Sequence, residues 1–262
     1  MLSLTHIGGP TVLIELDGWR ILTDPTFDEA GRTYGFGLGT SSTKTQGPVP
    51  AIADIDLDSI DVVLVSHDHH ADNLDDLGRT VFPRAGTVLT TLAGQRRLGG
   101  KNTRGLRAGD VTTLTAPGRT PLRVSATPCR HGPPLSRPLV GPVIGFALSL
   151  DGHERADLWM TGDTVLHRAL LRTARRLDVD VLLMHLGSVQ FPITGRVRYS
   201  MNASDALKLT RTVQPRIAVP VHYEGWSHFH QPTSELRSTI ASADQTSQSQ
   251  IRWLTRGVST PM

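Results

Sequence analysis

The stretch VVLVSHDHHADNLD, residues 62–75, joins a short apolar segment to a dense group of histidines and carboxylates. Residues 62–65 are apolar and mostly β-branched, which predicts a buried strand. Three histidines follow directly, His67, His69 and His70, together with several aspartates. Crowded carboxylates repel one another and buried imidazoles lose solvation, so this density favours a bound cation. The stretch therefore predicts a metal site at the carboxyl end of a core strand, the alternative being a polar loop that happens to be rich in histidine.

Length and composition are those of an ordinary globular domain. The 262 residues, 38% of them hydrophobic, fit a single domain spanning 1–262. The formal net charge of +3 is small and spread along the chain, so nucleic-acid binding is not expected. We expect a small-molecule substrate, and homo-oligomer formation is left open.

Cysteine content and apolar patterning point to the cytoplasm. Cys129 is the one cysteine, which excludes an internal disulfide and a four-cysteine zinc site. The first ten residues lack the basic and apolar segments of a secretory signal, and no stretch is long and apolar enough to span a membrane. We therefore expect a cytoplasmic protein without a membrane segment.

The apolar periodicity predicts two similar halves, each with antiparallel strands followed by strands alternating with helices. The first half opens with a meander of strands at 2–7, 11–16 and 19–23, followed by a long loop at 28–58 that we interpret as a flap over a site. Later strands are predicted at 62–65, 88–90, 111–114, 122–127, 144–150, 158–160, 179–184, 217–221 and 251–254. Helices are predicted at 91–98, 165–177, 202–213 and 233–242. This pattern predicts an α/β fold of two sheets with helices outside.

Three further polar residues stand directly after predicted strands: His131, Asp163 and His222. Sites in layered α/β folds are assembled at strand ends, so these side chains can converge on one point. A catalytic zinc site uses three protein ligands, and two metals about 3.5–4 Å apart can share a bridging carboxylate. Asp163 is the natural bridge, because Gly162 before it allows a sharp turn.

Six segments together resemble the metallo-β-lactamase superfamily: HIGGPTVLIEL, LTDP, SHDHHADNLD, TPCRH, MTGDT and VPVHYEGW. They are similar to its branch of metal-dependent hydrolases, which includes ascorbate-phosphate lactonase-like and N-acyl-phosphatidylethanolamine phospholipase-like proteins. The resemblance covers nearly the whole chain and is not specific for a substrate. It implies a four-layer αββα sandwich and one or two metal ions, Zn²⁺ with Mn²⁺ or Fe²⁺ as alternatives. It also implies that metal-bound hydroxide hydrolyses a small ester, lactone, amide or phosphodiester.

The chain departs from the family's HxHxDH motif in its spacing and in its last position. Read without a gap, His67 and His69 fit; read with one extra residue, His70 and Asp72 fit, and the NLD ending favours this second alignment. His69 and His70 therefore both stay candidates. In either alignment the last histidine is missing and Asn73, a poor zinc ligand, stands nearby, so the second metal is expected to be weaker, absent or more oxygen-seeking.

The resemblance assigns ligand roles to specific residues. The first metal is expected on His67, on one of His69 and His70, and on His131; the second is expected on Asp72, Asp163 and His222. Asp72 is also placed to take up or return a proton.

Several other polar residues near the motifs have two interpretations. His185 ends a predicted strand and is expected to support a ligand or face the substrate. Tyr223 could orient an oxyanion, although packing explains it equally well. His228 and His230 either line the substrate pocket or lie at the surface.

Three alternative functions compete with hydrolysis of a small molecule. The first is a metal-dependent nuclease or phosphodiesterase acting on nucleic acid, although no aromatic-rich basic stripe supports it. The second is a di-iron redox enzyme, which would need a flavin partner domain. The third is a degenerate metal-binding protein without activity, suggested by the missing histidine.

Overall fold

The computed structural model describes residues 1–37 and 39–262, and the backbone alone at Leu139. It divides into two compact units. Unit 1 comprises Met1–Arg107, Glu224–His228 and Leu254–Met262, and unit 2 comprises Ala108–Tyr223 and Phe229–Trp253. That residues 1–262 form one domain stays a prediction.

The described residues of unit 1, all but Leu38, form eight numbered strands, a C-terminal strand and two helices. The strands are β1 (Leu2–Gly8), β2 (Thr11–Leu16), β3 (Trp19–Thr23), β4 (Thr33–Gly37), β5 (Thr40–Thr43), β6 (Val62–Leu64), β7 (Thr87–Thr91), β8 (Thr103–Leu106) and the C-terminal strand Ser259–Pro261. The helices are α1 (Asp76–Arg79) and α2 (Leu92–Leu98), with short 3₁₀ turns at Ile52–Asp54 and Leu57–Ser59.

The large sheet of unit 1 begins as the predicted meander. β1 pairs antiparallel with both β2 and the C-terminal strand, and β2 pairs antiparallel with β3. β6, β7 and β8 then continue the sheet in parallel order from β3. Asp17 and Gly18 both have positive φ, as the tight turn between β2 and β3 requires. The apolar face of this sheet packs against buried residues such as Phe27, Leu74 and Val81. Val63 of β6 and Val65 directly after it belong to this core, which holds the carboxyl end of β6 in place.

The predicted loop at 28–58 is wrong in part, because β4 and β5 form an antiparallel hairpin within it. Glycines at alternate positions hid the strand pattern, although Tyr34 and Phe36 between them lie on one half-buried face. Leu38, within the same stretch, lies outside the described residues. The role of the stretch as a flap stays a prediction.

Unit 2 contains six strands and five helices. The strands are β9 (Val111–Leu114), β10 (Leu122–Pro128), β11 (Ile144–Leu150), β12 (Ala156–Met160), β13 (Val179–His185) and β14 (Ile217–Val221). The helices are α3 (Arg137–Val140), α4 (Arg168–Ala174), α5 (Ala203–Val213), α6 (Thr233–Ala241) and α7 (Gln245–Gln250), with a 3₁₀ turn at Pro192–Thr194.

The sheet of unit 2 repeats the plan of unit 1, which confirms the prediction of two similar halves. β9 to β12 are antiparallel neighbours, and β13 and β14 extend the sheet in parallel order. Helix α5 begins at the predicted cap, where the Asn202 side chain accepts a hydrogen bond from the backbone of Asp205. Its apolar side joins a buried core with β13 residues such as Leu182 and Met184. The parallel strands therefore end at defined positions.

Two predicted elements of unit 2 are wrong in extent or kind. The helix expected at 165–177 covers only Arg168–Ala174, and the residues before it are tied elsewhere, with the backbone N–H of Val165 donating to the Arg130 carbonyl. The strand expected at 251–254 is an isolated bridge from Ile251 to Ala218. The polar residues before it form α7, whose first turn is capped by the Asp244 carboxylate. Capping chemistry, rather than apolar periodicity, forms that helix.

Candidate functional site

Residues 66–75, which we call the histidine turn, follow β6 in unit 1 as predicted. The turn folds back on itself, since the backbone N–H groups of Asn73 and Leu74 donate to the His70 carbonyl at 3.1 and 3.0 Å. His67 is fully buried and His70 is 8% exposed. The strand thus delivers imidazoles to a site shielded from water.

His67 and His70 bring their ring nitrogens together. Nε2 of His67 lies 3.2 Å from Nδ1 of His70, and Nδ1 of His67 contacts the Ser66 hydroxyl at 3.0 Å. The His69 ring also lies nearby, 5.0 Å from the His67 ring and 4.4 Å from the His70 ring, but its Nδ1 lies 4.0 Å from the Asp68 carboxylate and its side chain is 20% exposed. Of the two candidates that the sequence left open, His70 is the one paired with His67.

Two aspartates of the turn are neutralised by protein cations, a contribution that the sequence argument missed. Asp68 accepts two hydrogen bonds from the Arg97 guanidinium, at 2.7 and 2.5 Å, which raises the pKa of Arg97. Asp75 pairs with the buried Lys44 ammonium at 2.9 Å, and burial lowers the pKa of Lys44 although Asp75 opposes that shift. The crowded carboxylates therefore do not all require a metal.

Asp75 and Asp24 also act as backbone anchors. The Asp75 carboxylate accepts backbone hydrogen bonds from Phe27 at 2.9 Å, Asp28 at 2.7 Å and Gly78 at 2.8 Å. Asp24 accepts one from Ser66 at 2.6 Å and a second, at 3.3 Å, from the Asn73 amide. Asn73, which stands near the missing motif histidine, thus turns its amide towards Asp24. The LTDP segment was the sequence signal for Asp24.

Asp72 differs from Asp68 and Asp75 because it contacts an imidazole rather than an arginine or a lysine. Its Oδ2 lies 3.0 Å from Nε2 of His228, and both side chains are almost completely buried. The sequence left His228 and His230 undecided; the structure buries His228 and exposes His230. No sequence pattern links positions 72 and 228.

The hairpin of β4 and β5 places an aromatic group beside these imidazoles. The Phe36 ring lies 5.3 Å from the His70 ring and 5.2 Å from the His228 ring, measured between centroids. The Trp226 ring in turn lies 6.3 Å from the Phe36 ring and 5.4 Å from the Tyr34 ring, measured between centroids. The imidazoles of unit 1 therefore have an apolar neighbour on the hairpin side.

In unit 2, His131 follows β10 and is fixed by its backbone surroundings. Its Nδ1 lies 2.8 Å from the Tyr199 carbonyl oxygen, so Nδ1–H donates and Nε2 is the acceptor nitrogen. Gly132 has φ +93°, and a Cβ there would come within 2.6 Å of the Tyr199 ring. The chain can therefore pass this point only with glycine.

Asp163 and His222 follow β12 and β14 and contact each other. Their side chains are fully buried, with Nδ1 of His222 2.8 Å from Oδ1 of Asp163. The sharp turn expected at Gly162 is present, with φ +64°. His222 itself has φ +54°, a strained conformation for a histidine of the kind that clusters at functional sites.

The remaining residues near the motifs contact aromatic rings or the backbone. His185 is buried at the end of β13, with its ring 5.7 Å from the His222 ring. Tyr223 lies in the apolar core of unit 2 with its ring 5.5 Å from Trp253, which favours the packing interpretation. The Cys129 thiol donates to the Thr161 carbonyl at 3.0 Å. Catalytic roles for His185 and Tyr223 stay predictions.

Each unit taken alone presents donor atoms suited to a metal. In unit 1, His67 and His70 offer ligand atoms within 4.8 Å of each other; in unit 2, Asp163 and His222 do the same. Buried imidazoles and carboxylates are ligands that zinc and related divalent metals prefer. Among the described residues, no helix combines the length and apolar character that crossing a bilayer would need.

Comparison with known proteins identifies the class. Residues 19–223 match the family model described as beta-lactamase superfamily domain. A metal-dependent hydrolase from Carboxydothermus hydrogenoformans is 28% identical over 86% of each chain. An isothiocyanate hydrolase from Delia radicum gut bacteria has a TM-score of 0.79 at 20% identity, covering 99% of this chain and 98% of that one. A possible metal-dependent hydrolase from Veillonella parvula has a TM-score of 0.79 at 19% identity over the whole of both chains.

These similarities confirm the predicted class. The fold is the α/β metallo-β-lactamase fold. The chain belongs to the beta-lactamase superfamily, and it is a metal-dependent hydrolase.

Proposed function

We propose that the chain hydrolyses a small ester, lactone, amide or phosphodiester with one or two zinc ions. The ligands proposed for the first ion are His67, His70 and His131. The ligands proposed for the second ion are Asp72, Asp163 and His222. Because Asn73 offers no imidazole to the second ion, we expect that ion to bind more weakly or to be replaced by Mn²⁺ or Fe²⁺.

The observation that carries the proposal is the 3.2 Å approach of the His67 and His70 nitrogens inside the protein. Two buried imidazole nitrogens at this distance can share one proton, or a cation can take the place of that proton and bind both. Asp163 and His222, 2.8 Å apart, add a carboxylate and an imidazole of the same buried kind. This donor chemistry fits a divalent transition metal.

The protein supplies orientation and proton transfer around the metal. When bound, the cation polarises a carbonyl or phosphoryl oxygen and lowers the pKa of water from about 15.7 to about 7. Asp72 is held by His228 through Oδ2, and we assign to its carboxylate both the contact with the second ion, through Oδ1, and the uptake and return of a proton during turnover. The His131 and His222 rings are held through Nδ1 by Tyr199 and Asp163, which keeps Nε2 of both as the ligand nitrogen.

The hairpin of β4 and β5 gives the proposal a substrate feature. Phe36 lies against His70 and His228, which favours a substrate with an apolar part next to its reacting carbon or phosphorus. Within the flap predicted at 28–58, we assign the contact with substrate to the two strands of this hairpin, Thr33–Gly37 and Thr40–Thr43. The isothiocyanate hydrolase with the same fold makes isothiocyanates worth including among the test substrates. A cytoplasmic location stays a prediction.

A substrate panel on the metal-depleted and metal-reloaded protein tests the proposal. The panel contains a lactone, an aryl ester, an aryl amide, bis-p-nitrophenyl phosphate, an isothiocyanate and a short single-stranded RNA. We expect turnover of at least one small substrate that is lost with chelator, restored by Zn²⁺ and unchanged in the surface variant His153→Gln. No turnover of any small substrate with Zn²⁺, Mn²⁺ or Fe²⁺ would contradict the proposal, and cleavage of the RNA alone would favour the nuclease alternative.

A further inference from the structure

We propose that His228 is the positioning residue of Asp72: it fixes the carboxylate so that Oδ1 is directed towards the metal and the substrate. The inference rests on the proposed function, because it assumes that Asp72 is a ligand. It adds a residue that the motif does not contain. His228 is separated from Asp72 by 156 positions in the chain.

Contacts of both ring nitrogens fix the His228 side chain. Nε2 lies 3.0 Å from Oδ2 of Asp72, and Nδ1 lies at the Ser42 hydroxyl. Since a carboxylate can only accept, Nε2–H donates to Asp72 and Nδ1 accepts from Ser42. Both nitrogens are then committed, which assigns His228 to orienting a ligand rather than to binding a metal itself.

The partners of His228 are themselves held in place. The Ser42 hydroxyl lies 3.2 Å from the Ser227 hydroxyl, which in turn accepts a hydrogen bond from the backbone of Thr43 at 2.9 Å. The backbone of Ser227 donates to the Thr43 carbonyl at 3.0 Å. Strand β5 and residues 224–228 are thus joined by hydrogen bonds. The Phe36 ring packs 5.2 Å from the His228 ring.

The chemistry of an imidazole donor suits this position. Asp68 and Asp75 are bound by Arg97 and Lys44, and those permanent positive charges would compete with a metal for a carboxylate. An imidazole N–H directs Asp72 without the permanent charge of an arginine or a lysine. The contact uses Oδ2, so a bond from Oδ1 to a cation is compatible with it. Hydrogen-bonded partners of ligands of this kind contribute about 10- to 100-fold to metal affinity.

Metal titration of four variants tests the inference. Zn²⁺ affinity is measured by competition with a chromophoric chelator, and the visible spectrum of the Co²⁺ form reports on coordination. We expect His228→Ala to weaken the ion bound at Asp72 by about 10- to 100-fold and to change its Co²⁺ spectrum. His228→Gln should recover most of the affinity, because its Nε2 amide can donate to Asp72. Ser42→Ala should show a smaller loss in the same direction.

A structural role would give a different pattern of results. The control His153→Gln removes a surface imidazole that contacts Asp157 at 2.8 Å, and it should bind metal like the wild type. Thermal unfolding of the metal-depleted proteins identifies any variant that fails to fold. If His228→Ala does not fold, the metal affinities of His228→Gln and Ser42→Ala test the inference. Wild-type affinity in His228→Ala, or equal losses in His228→Ala and His228→Gln, would overturn the inference alone. If the wild type bound no metal, the proposed function would fall as well.

Discussion

The two units present their candidate metal ligands by opposite means. The histidine turn of unit 1 concentrates its candidates in ten consecutive residues and holds them with side-chain contacts, chiefly the ion pairs of Asp68 and Asp75 and the backbone contacts of Asp24. Unit 2 takes one candidate from the end of each of three strands; we call His131, Asp163 and His222 the strand-end set. Backbone geometry at Gly132, Gly162 and His222 aims that set.

This difference explains how readily the candidates of the histidine turn and of the strand-end set are recognised in the sequence. A dense turn is conspicuous in a sequence, but a shift of one residue exchanges one ligand for another, as with His69 and His70. A strand-end ligand is inconspicuous by itself, yet its position is unambiguous once the strand is recognised. The histidine turn should therefore be sensitive to loss of its charge partners, and the strand-end set to steric changes in the sheet that carries it.

The largest expected effect is on the charge pairs of the histidine turn. Asp75→Ala leaves the buried Lys44 without its carboxylate and should lower the free energy of unfolding by about 3–5 kcal/mol. Denaturant unfolding of the metal-depleted protein measures this. The surface pair Asp58–Arg84 is the control, and Asp58→Ala should have little effect. Equal effects of the two substitutions would contradict a turn held by internal charge pairs.

The second effect distinguishes the adjacent histidines of the turn. His70→Ala should weaken zinc binding by more than about 100-fold, because a ligand contributes more than the partners that orient it. His69→Ala should change the affinity by less than about tenfold, a difference smaller than the loss of an orienting partner. The chelator competition assay resolves both. A larger loss in His69→Ala would support the ungapped alignment of the motif.

The third effect concerns the sheet that carries the strand-end set. A Cβ at Gly145 in β11 would lie 2.6 Å from the Met160 carbonyl, the Thr127 hydroxyl and the Thr161 carbonyl. Gly145→Ala should therefore lower the free energy of unfolding by about 1–3 kcal/mol. Gly35→Ala, where a Cβ meets nothing within 4 Å, is the matched control. Similar stability of the two variants would mean that the sheet of unit 2 relaxes more easily than its packing indicates.

The smallest expected effect is a pH dependence of stability caused by His167, the residue directly before α4. Burial, with the nearby Arg130 charge, lowers the pKa of His167 from 6.5 to about 4. Between these values the unfolded chain binds a proton that the folded chain does not, so His167 lowers stability as pH falls from 6.5 towards 4. Because His167 is partly exposed, we expect only about 1 kcal/mol. The free energy of unfolding of His167→Gln should fall less than that of the wild type over this range; parallel curves would contradict the shift.

Sequence reasoning succeeded where a local pattern determines structure. It placed β6, β13 and β14, the Asn202 cap and the turn at Gly162, because apolar strands, capping residues and glycine each act over a few neighbouring positions. It missed α7, whose helix depends on a cap rather than on apolar residues, and the β4–β5 hairpin, whose alternation was masked by glycines.

Long-range partners were beyond the sequence for a physical reason. Arg97 meets Asp68, and His228 meets Asp72, only because the sheet and the segment at residues 224–228 bring distant positions together. Neither pair has a spacing that one helix or strand could explain. The preference for His70 over His69 as a candidate ligand likewise rests on a nitrogen–nitrogen approach to His67 that the sequence does not contain.

Metal content per chain tests the central claim most directly. Elemental analysis after desalting would compare the wild type with His67→Ala from the histidine turn and Asp163→Ala from the strand-end set. We predict one or two zinc ions in the wild type and a lower metal content, with loss of hydrolysis, in both variants. Wild-type metal content and activity in either variant would contradict the account.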